Sequence, residues 1–177
     1  MAQYEHVKHT FKPVYDENSK ILILGSLPSV KSREQGFYYG HPQNRFWKVL
    51  ARLLEWDEPV SIEEKKEMLL KNKIAIWDVL DSCDIQGSSD SSIKNPVAAD
   101  IPELLKKTQI KKVYVNGTTA GKYYRKYVLP LTGIEAVVLQ STSPLNCRYT
   151  LEKLIENWSV ILDNIKNQNN KYLECMK

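Results

Sequence analysis

Ile21-Leu22-Ile23-Leu24-Gly25-Ser26-Leu27-Pro28-Ser29 decides how this chain is read. Four consecutive aliphatic residues leave no polar face, the pattern of a strand covered on both sides rather than one facing water. The run empties into a turn of small residues, and open α/β sheets bind their ligands in the crevice beyond the carboxyl ends of such strands. A polar loop follows, then Phe37-Tyr38-Tyr39-Gly40-His41-Pro42-Gln43-Asn44-Arg45-Phe46-Trp47. Three successive aromatics beside a crevice are costly without a ligand to face.

Working outward, Phe46, Val49, Leu50, Leu53 and Leu54 recur at helical spacing. They predict a helix of about three turns starting near Asn44, where Asn is a favoured cap. Ser61-Ile62-Glu63-Glu64 is a capping box that starts a second helix, running to about Leu70. A second strand is expected over Ile74–Leu80, and the Ser-, Asp- and Gly-rich segment from Ser82 to Ala99 reads as a long loop of the kind that carries function. A capping pattern at Asp100–Glu103 opens a short helix to about Lys107. The third strand, Val113–Val115, runs into Asn116-Gly117-Thr118 and a helix bearing Tyr123, Tyr124 and Tyr127. The fourth, Ala136–Leu139, ends in Gln140-Ser141-Thr142-Ser143-Pro144-Leu145. A last helix from about Thr150 to Ile165 carries a stripe of Leu151, Leu154, Ile155, Trp158, Ile161 and Leu162.

Short apolar strands alternating with helices predict a three-layer α/β/α fold around a four-stranded parallel sheet. Residues 1–177 are expected to form one domain, with 1–20 as a polar arm and 167–177 as a frayed tail. A net charge of +4 and a pI near 8.8 permit a nucleic-acid partner without requiring one. No apolar run approaches the roughly 18 residues of a membrane span, and Met1–Lys12 lacks the apolar core of a signal peptide. A cytoplasmic monomer is expected. The three cysteines, Cys83, Cys147 and Cys175, are scattered without a Cys-x-x-Cys pair, so neither a disulfide framework nor an iron–sulfur cluster is expected. His6 and His9 fall in the arm, leaving His41 alone near the aromatic loop, and no metal site is expected.

The strand ends carry the chemistry. They deliver Gly25–Ser29 and the aromatic loop, Trp77-Asp78, Asn116-Gly117, and Ser141–Asn146 to one crevice. Neither a Gly-x-Gly-x-x-Gly fingerprint, a P-loop lysine nor a Gly-x-Ser-x-Gly elbow is present, which argues against dinucleotide binding, NTP hydrolysis and α/β-hydrolase chemistry.

Gly25-Ser26-Leu27-Pro28-Ser29 with Tyr38–Trp47 resembles the first motif region of the uracil-DNA glycosylase superfamily, and Ser141-Thr142-Ser143-Pro144-Leu145 resembles its second. The combination is most similar to the hypoxanthine-DNA glycosylase (DNA-deoxyinosine glycosylase) group, over roughly residues 11 to 160. The resemblance implies hydrolysis of the N-glycosidic bond of a deaminated base, most readily hypoxanthine, in DNA, with neither metal nor organic cofactor. A uracil or G:U/G:T mismatch glycosylase is the neighbouring alternative, and a non-catalytic nucleic-acid-binding domain of the same fold is the alternative of another class. Two departures bear on the mechanism. Leu27 stands where many members place a water-orienting Asp or Asn, and Ser141 stands where the second motif usually has histidine. The resemblance therefore puts the catalytic amide at Asn44. It gives base contacts to Ser26, Leu27, Tyr39 and Asp78, with Tyr39 stacking on the base. Ser141, Thr142 and Ser143 are expected at phosphates, and Leu145 as a wedge in the vacated stack.

Overall fold

The computed structural model describes residues 3–166; the frayed tail expected over 167–177 lies outside the described residues. In chain order the strands are β1 (Glu5–Lys8), β2 (Ile21–Gly25), β3 (Ile74–Asp78), β4 (Leu80–Ile85), β5 (Lys94–Ala98), β6 (Lys112–Asn116) and β7 (Ala136–Leu139). The helices are α1 (Val30–Gln35), α2 (Phe46–Leu54), α3 (Ile62–Lys71), α4 (Ile101–Lys106), α5 (Thr118–Tyr127), α6 (Leu129–Thr132), α7 (Leu151–Trp158) and α8 (Ile161–Lys166).

The expected parallel sheet is present, in the order β3-β2-β6-β7. Every residue of the central β2 is buried, as its unbroken aliphatic run requires. Alternate side chains serve opposite layers. Ile21 and Ile23, with Ile74, Ile76 and Tyr114, join one core with Phe46, Leu50, Leu69, Leu154 and Trp158. Leu22 and Leu24, with Ala75, Val113 and Val115, join the other with Ile101, Leu104, Tyr123 and Tyr124. α2 buries Phe46, Trp47, Val49, Leu50, Ala51 and Leu53; side chains of the Val, Leu and Phe kind each contribute about 1.5–3 kcal/mol when fully buried.

Register aligns the strand ends that matter. Gly25 pairs with Asp78, Leu24 with Val115, and Asn116 with Leu139. Asp78, Gly25, Asn116 and the residues after Leu139 thus stand at one height along the carboxyl edge of the sheet.

Three elements differ from the sequence expectation. The expected loop over Ser82–Ala99 holds much of a second, antiparallel sheet of order β1-β4-β5, while its Ser- and Asp-rich run at 87–92 is the connection between β4 and β5. The expected second strand ends at Asp78, because the Val79 and Leu80 amides turn to the carbonyls of Gly25 and Ser26, 2.8 and 3.1 Å away. The chain then enters the other sheet as β4. The polar arm is built into the fold: β1 pairs antiparallel with β4, and Val14 bridges Ile76. Its small apolar contribution, Val7 against Cys83 and Ile85, gave too little periodicity to register as a strand.

Smaller differences concern helices. α1 lies inside the polar loop, started by Ser29 accepting from the Ser32 amide and ended by Gly36 at φ +70°. Those two caps are its sequence signal. The last helix is two, α7 and α8, interrupted at Ser159–Val160.

Candidate active site

The carboxyl edge of the parallel sheet opens into a cleft of about 390 Å³. Ser26, Leu27, Tyr39, Asn44, Asp78, Ser141, Ser143 and Leu145 all line it, so eight of the nine expected site residues converge there. Thr142, the ninth, is fully buried. It cannot reach a phosphate and does something else.

One wall is made of amides. Asn44 Oδ1 accepts from the Phe46 amide at 3.0 Å and from the Thr142 hydroxyl at 2.8 Å. Thr142 Oγ1 accepts in turn from Asn116 Nδ2 at 3.0 Å, and the Thr142 amide donates to Asn116 Oδ1, also at 3.0 Å. A backbone N–H can only donate, so each end of the network fixes the orientation of its asparagine and the Thr142 hydroxyl hydrogen points to Asn44. Both acceptor sites of Asn44 Oδ1 are engaged. What it offers the cleft is its NH2 group. The cap role expected of Asn44 is also real, although the first residue flanking α2 is Arg45.

The opposite wall is a carboxylate. Asp78 closes β3, and a Cβ placed on Gly25 would lie 2.5 Å from its Oδ1, so glycine at the end of β2 is what gives the carboxylate room. Its Oδ2 lies 2.8 Å from His9 Nε2, with the two side chains 5% and 3% exposed.

Tyr39 stands between the walls. Its φ of +53° is a left-handed conformation that costs a non-glycine residue about 1–3 kcal/mol. Stacking on Phe46 at 3.9 Å between ring centroids, with planes 17° apart, helps hold it there. Phe46 takes one face of the ring while Tyr39 lines the cleft. Its hydroxyl is buried without a hydrogen-bond partner. Burial first, then the charge of Asp78, pushes that phenol far up; Asn116 pulls weakly the other way without reaching hydrogen-bond geometry. Tyr39 is therefore a neutral phenol at any working pH.

The loop after β7 forms the lip. The Thr142, Ser143, Leu145 and Asn146 amides are all bonded within the protein, to Asn116 Oδ1, Ser141 Oγ, Ser143 Oγ and the Ser143 carbonyl. Those four backbone donors are spent on the loop itself, which leaves the hydroxyl hydrogens of Ser141 and Ser143 and the Ser141 amide for a phosphate. Arg45 pins the loop from beneath, donating to the carbonyls of Ser143 at 2.9 Å, Asn146 at 3.1 Å and Tyr149. Leu145 projects at its tip, 87% exposed.

Several participants escaped the sequence reading. His9 sat in a segment read as an arm. Asn116 reads in the sequence only as a strand end. Arg45 carried a usable signal, an arginine flanking the proposed catalytic amide, but its carbonyl partners lie about a hundred residues away in sequence.

Comparison with known proteins agrees with the geometry. Residues 12–162 match the family model of the uracil DNA glycosylase superfamily. The chain belongs to that superfamily. It is 36% identical over 154 residues to a protein named hypoxanthine DNA glycosylase from Methanosarcina barkeri, covering 86% of this chain and 96% of that one. A protein of the same name from Methanosarcina acetivorans is 35% identical over 157 residues, with coverage of 88% and 98%. A solution NMR structure of a candidate uracil DNA glycosylase from Methanosarcina acetivorans superposes with a TM-score of 0.76 at 34% identity, over 88% of this chain and 96% of that one. Within the superfamily pattern, the two departures are visible in the cleft. Leu27 offers the cleft only an apolar side chain, and Ser141 uses its oxygen to accept from the Ser143 amide.

Proposed function

We propose that this superfamily member is a monofunctional glycosylase, acting as a monomer, that removes hypoxanthine from DNA. The observation that supports the reading is one cleft lined by the Asp78 carboxylate at the end of edge strand β3, by Asn44 bonded to the loop after the opposite edge strand β7, and by Tyr39. Hypoxanthine has a ring N–H at N1 for a carboxylate to accept and oxygen and nitrogen acceptors for an amide donor. Adenine has a lone pair at N1, which a carboxylate repels.

The reaction breaks the bond between C1′ and the base nitrogen. The bonding electrons leave with the base, and the sugar becomes cationic as in other glycoside hydrolyses. Water adds to C1′, and the proton it loses ends, through solvent, on the departed base, leaving an abasic site and free hypoxanthine. Asn44 supports this through its NH2, a neutral donor aimed at the negative charge growing on the departing base. Because its oxygen is already saturated, Asn44 is proposed to act on the base rather than to accept a proton from the water. Tyr39 covers a face of the extruded base. Leu145 fills the stack it leaves, which makes extrusion cheapest where the base pair is already weak.

The test is cleavage of single- and double-stranded oligonucleotides carrying inosine, uracil or xanthine, followed by alkali at the abasic site. Inosine-selective cutting that is lost in Asn44→Ala supports the reading. Uracil also presents a ring N–H to Asp78, so faster uracil cutting would replace hypoxanthine as substrate. Binding without cutting of any of these oligonucleotides would reduce the protein to a nucleic-acid-binding member of the fold.

A further inference from the structure

We propose that His9 is a positioning residue for base selection, holding the Asp78 carboxylate so that its other oxygen meets a ring N–H of the extruded base. This rests on the base-reading role proposed for Asp78.

His9 arrives at the site through the segment that precedes the first parallel strand. Its amide donates to the Asp81 carbonyl at 2.7 Å, and Val14, farther on, exchanges hydrogen bonds with Ile76 at 3.0 and 2.9 Å. The stretch between those anchors crosses the end of β3. There the imidazole packs between Phe11 and Tyr38, with ring centroids 4.5 and 5.8 Å away. His9 does not line the cleft, so anything it does for a base it does through Asp78.

The carboxylate is held from two directions. Gly25 lies against Oδ1, and His9 Nε2 bonds Oδ2. With Oδ2 committed, Oδ1 is the oxygen left to recognise a donor. A rigid acceptor rewards a lactam N–H and penalises a ring nitrogen with a lone pair, which is discrimination by repulsion as much as by attraction.

The other ring nitrogen strengthens the case. His9 Nδ1 is buried with no hydrogen-bond partner. A leucine between Phe11 and Tyr38 would fill an apolar wall without leaving an orphan polar atom. The imidazole is accounted for by the bond its Nε2 makes.

Four proteins test this: His9→Leu, His9→Gln, Asp78→Asn and the double variant His9→Leu/Asp78→Asn. Each is assayed under single turnover on duplexes carrying deoxyinosine or deoxynebularine, whose N1 has a lone pair in place of N–H, with thermal unfolding followed alongside. His9→Leu is expected to lower the inosine-to-nebularine rate ratio by roughly 10-fold, the scale of a hydrogen bond to a charged group. His9→Gln, whose amide can still donate to the carboxylate, should recover most of that ratio whatever its melting temperature. In the Asp78→Asn background the ratio should move by less than about 2-fold on adding His9→Leu, because the two residues act as one unit. Equal losses on both substrates, or losses that add in the double variant, would overturn the proposal and leave His9 a packing residue. An Asp78→Asn protein with an unchanged ratio removes the base-reading role and this inference with it. Wild-type protein inert on inosine sinks the proposed function itself, an outcome none of the variants can mimic.

Discussion

The two walls of the cleft are finished to different degrees. The amide wall is closed on itself: Asn44, Thr142 and Asn116 satisfy one another, and every donor and acceptor between them has one direction. The carboxylate wall is left open. Around Asp78 lie two buried polar atoms without partners, His9 Nδ1 and the Tyr39 hydroxyl. A complete network holds its one projecting group still, which suits a donor that must stabilise charge as it appears. On this side the Tyr39 hydroxyl, in a residue that lines the cleft, gains its missing bond only when something enters, which suits recognition. The difference predicts that substitutions on the amide wall lower the rate on every base, whereas those on the carboxylate wall change which base is cut.

The largest effect is expected at Asn44. Asn44→Ala removes the NH2 group that the amide wall presents from the mouth of α2, and the single-turnover rate should fall by about 10²–10³-fold, the scale of losing one preorganised donor. Inosine and uracil substrates should lose similar factors. Stability should fall by about 1–3 kcal/mol, read from denaturant unfolding, because the cap bond to Phe46 goes and the buried Thr142 hydroxyl loses its acceptor. A loss confined to one base would erase the distinction between the walls.

Thr142→Val is next. The valine matches the shape but cannot bridge, so half-buried Asn116 and Asn44 each lose a partner. Leaving such groups unsatisfied costs about 1–3 kcal/mol. Activity should drop by roughly 10-fold as the Asn44 amide loses the bond that orients it, again on all bases alike. A variant destabilised to this extent but fully active would show that Phe46 alone orients Asn44.

How far these walls were legible differs for the same physical reason that they behave differently. Gly25, Asn44 and the Ser141–Leu145 loop lie where strong local patterns end: an aliphatic strand, an amphipathic helix, a second aliphatic strand. Reading those patterns places the residues on one edge, and the four-stranded parallel sheet follows. Asp78 was placed by the same logic. Its partner was not. His9 sits beside a strand of four residues with a single buried side chain, Val7. Such a strand exists because β4 is there to pair with it, and β4 itself was hidden by its Ser and Asp content. Thr142 shows the converse limit: a hydroxyl in a polar loop carries no sign of whether it faces DNA or two asparagines of its own chain.

Leu145 lies outside both walls and gives a control for them. At 87% exposure it supports nothing in the free protein, so Leu145→Ala should change stability by less than about 0.5 kcal/mol. As a wedge it matters only where a stack must be refilled. Cutting of inosine in duplex DNA should therefore fall by about 10-fold, a cost of the size of one exposed leucine transferred into an apolar gap, while cutting in single strands stays the same. Equal losses on both forms would make Leu145 a base contact instead.

The smallest effect concerns the strand that delivers His9. Asp84 on β4 accepts from Asn95 Nδ2 at 2.8 Å and pairs with His6 Nδ1 on β1 at 2.8 Å, tying the antiparallel sheet together next to the carboxylate wall. The Asn95 bond first, and the His6 bond second, hold the Asp84 carboxyl below the ordinary aspartate value of 3.8. A carboxylate whose folded pKa is depressed adds stability above its unfolded pKa and loses it as pH falls through the folded one. Wild type should therefore melt slightly above Asp84→Asn at neutral pH, and the gap should close below pH 3.8. Asp84 is exposed to solvent, so salt should shrink the neutral-pH gap as well. If β1 holds His9 in place, inosine selectivity in Asp84→Asn should slip in the same direction as in His9→Leu, by a smaller factor, while the rate on nebularine stays put. A selectivity unmoved by loosening β1 would mean that the His9 amide bond to Asp81 is anchor enough.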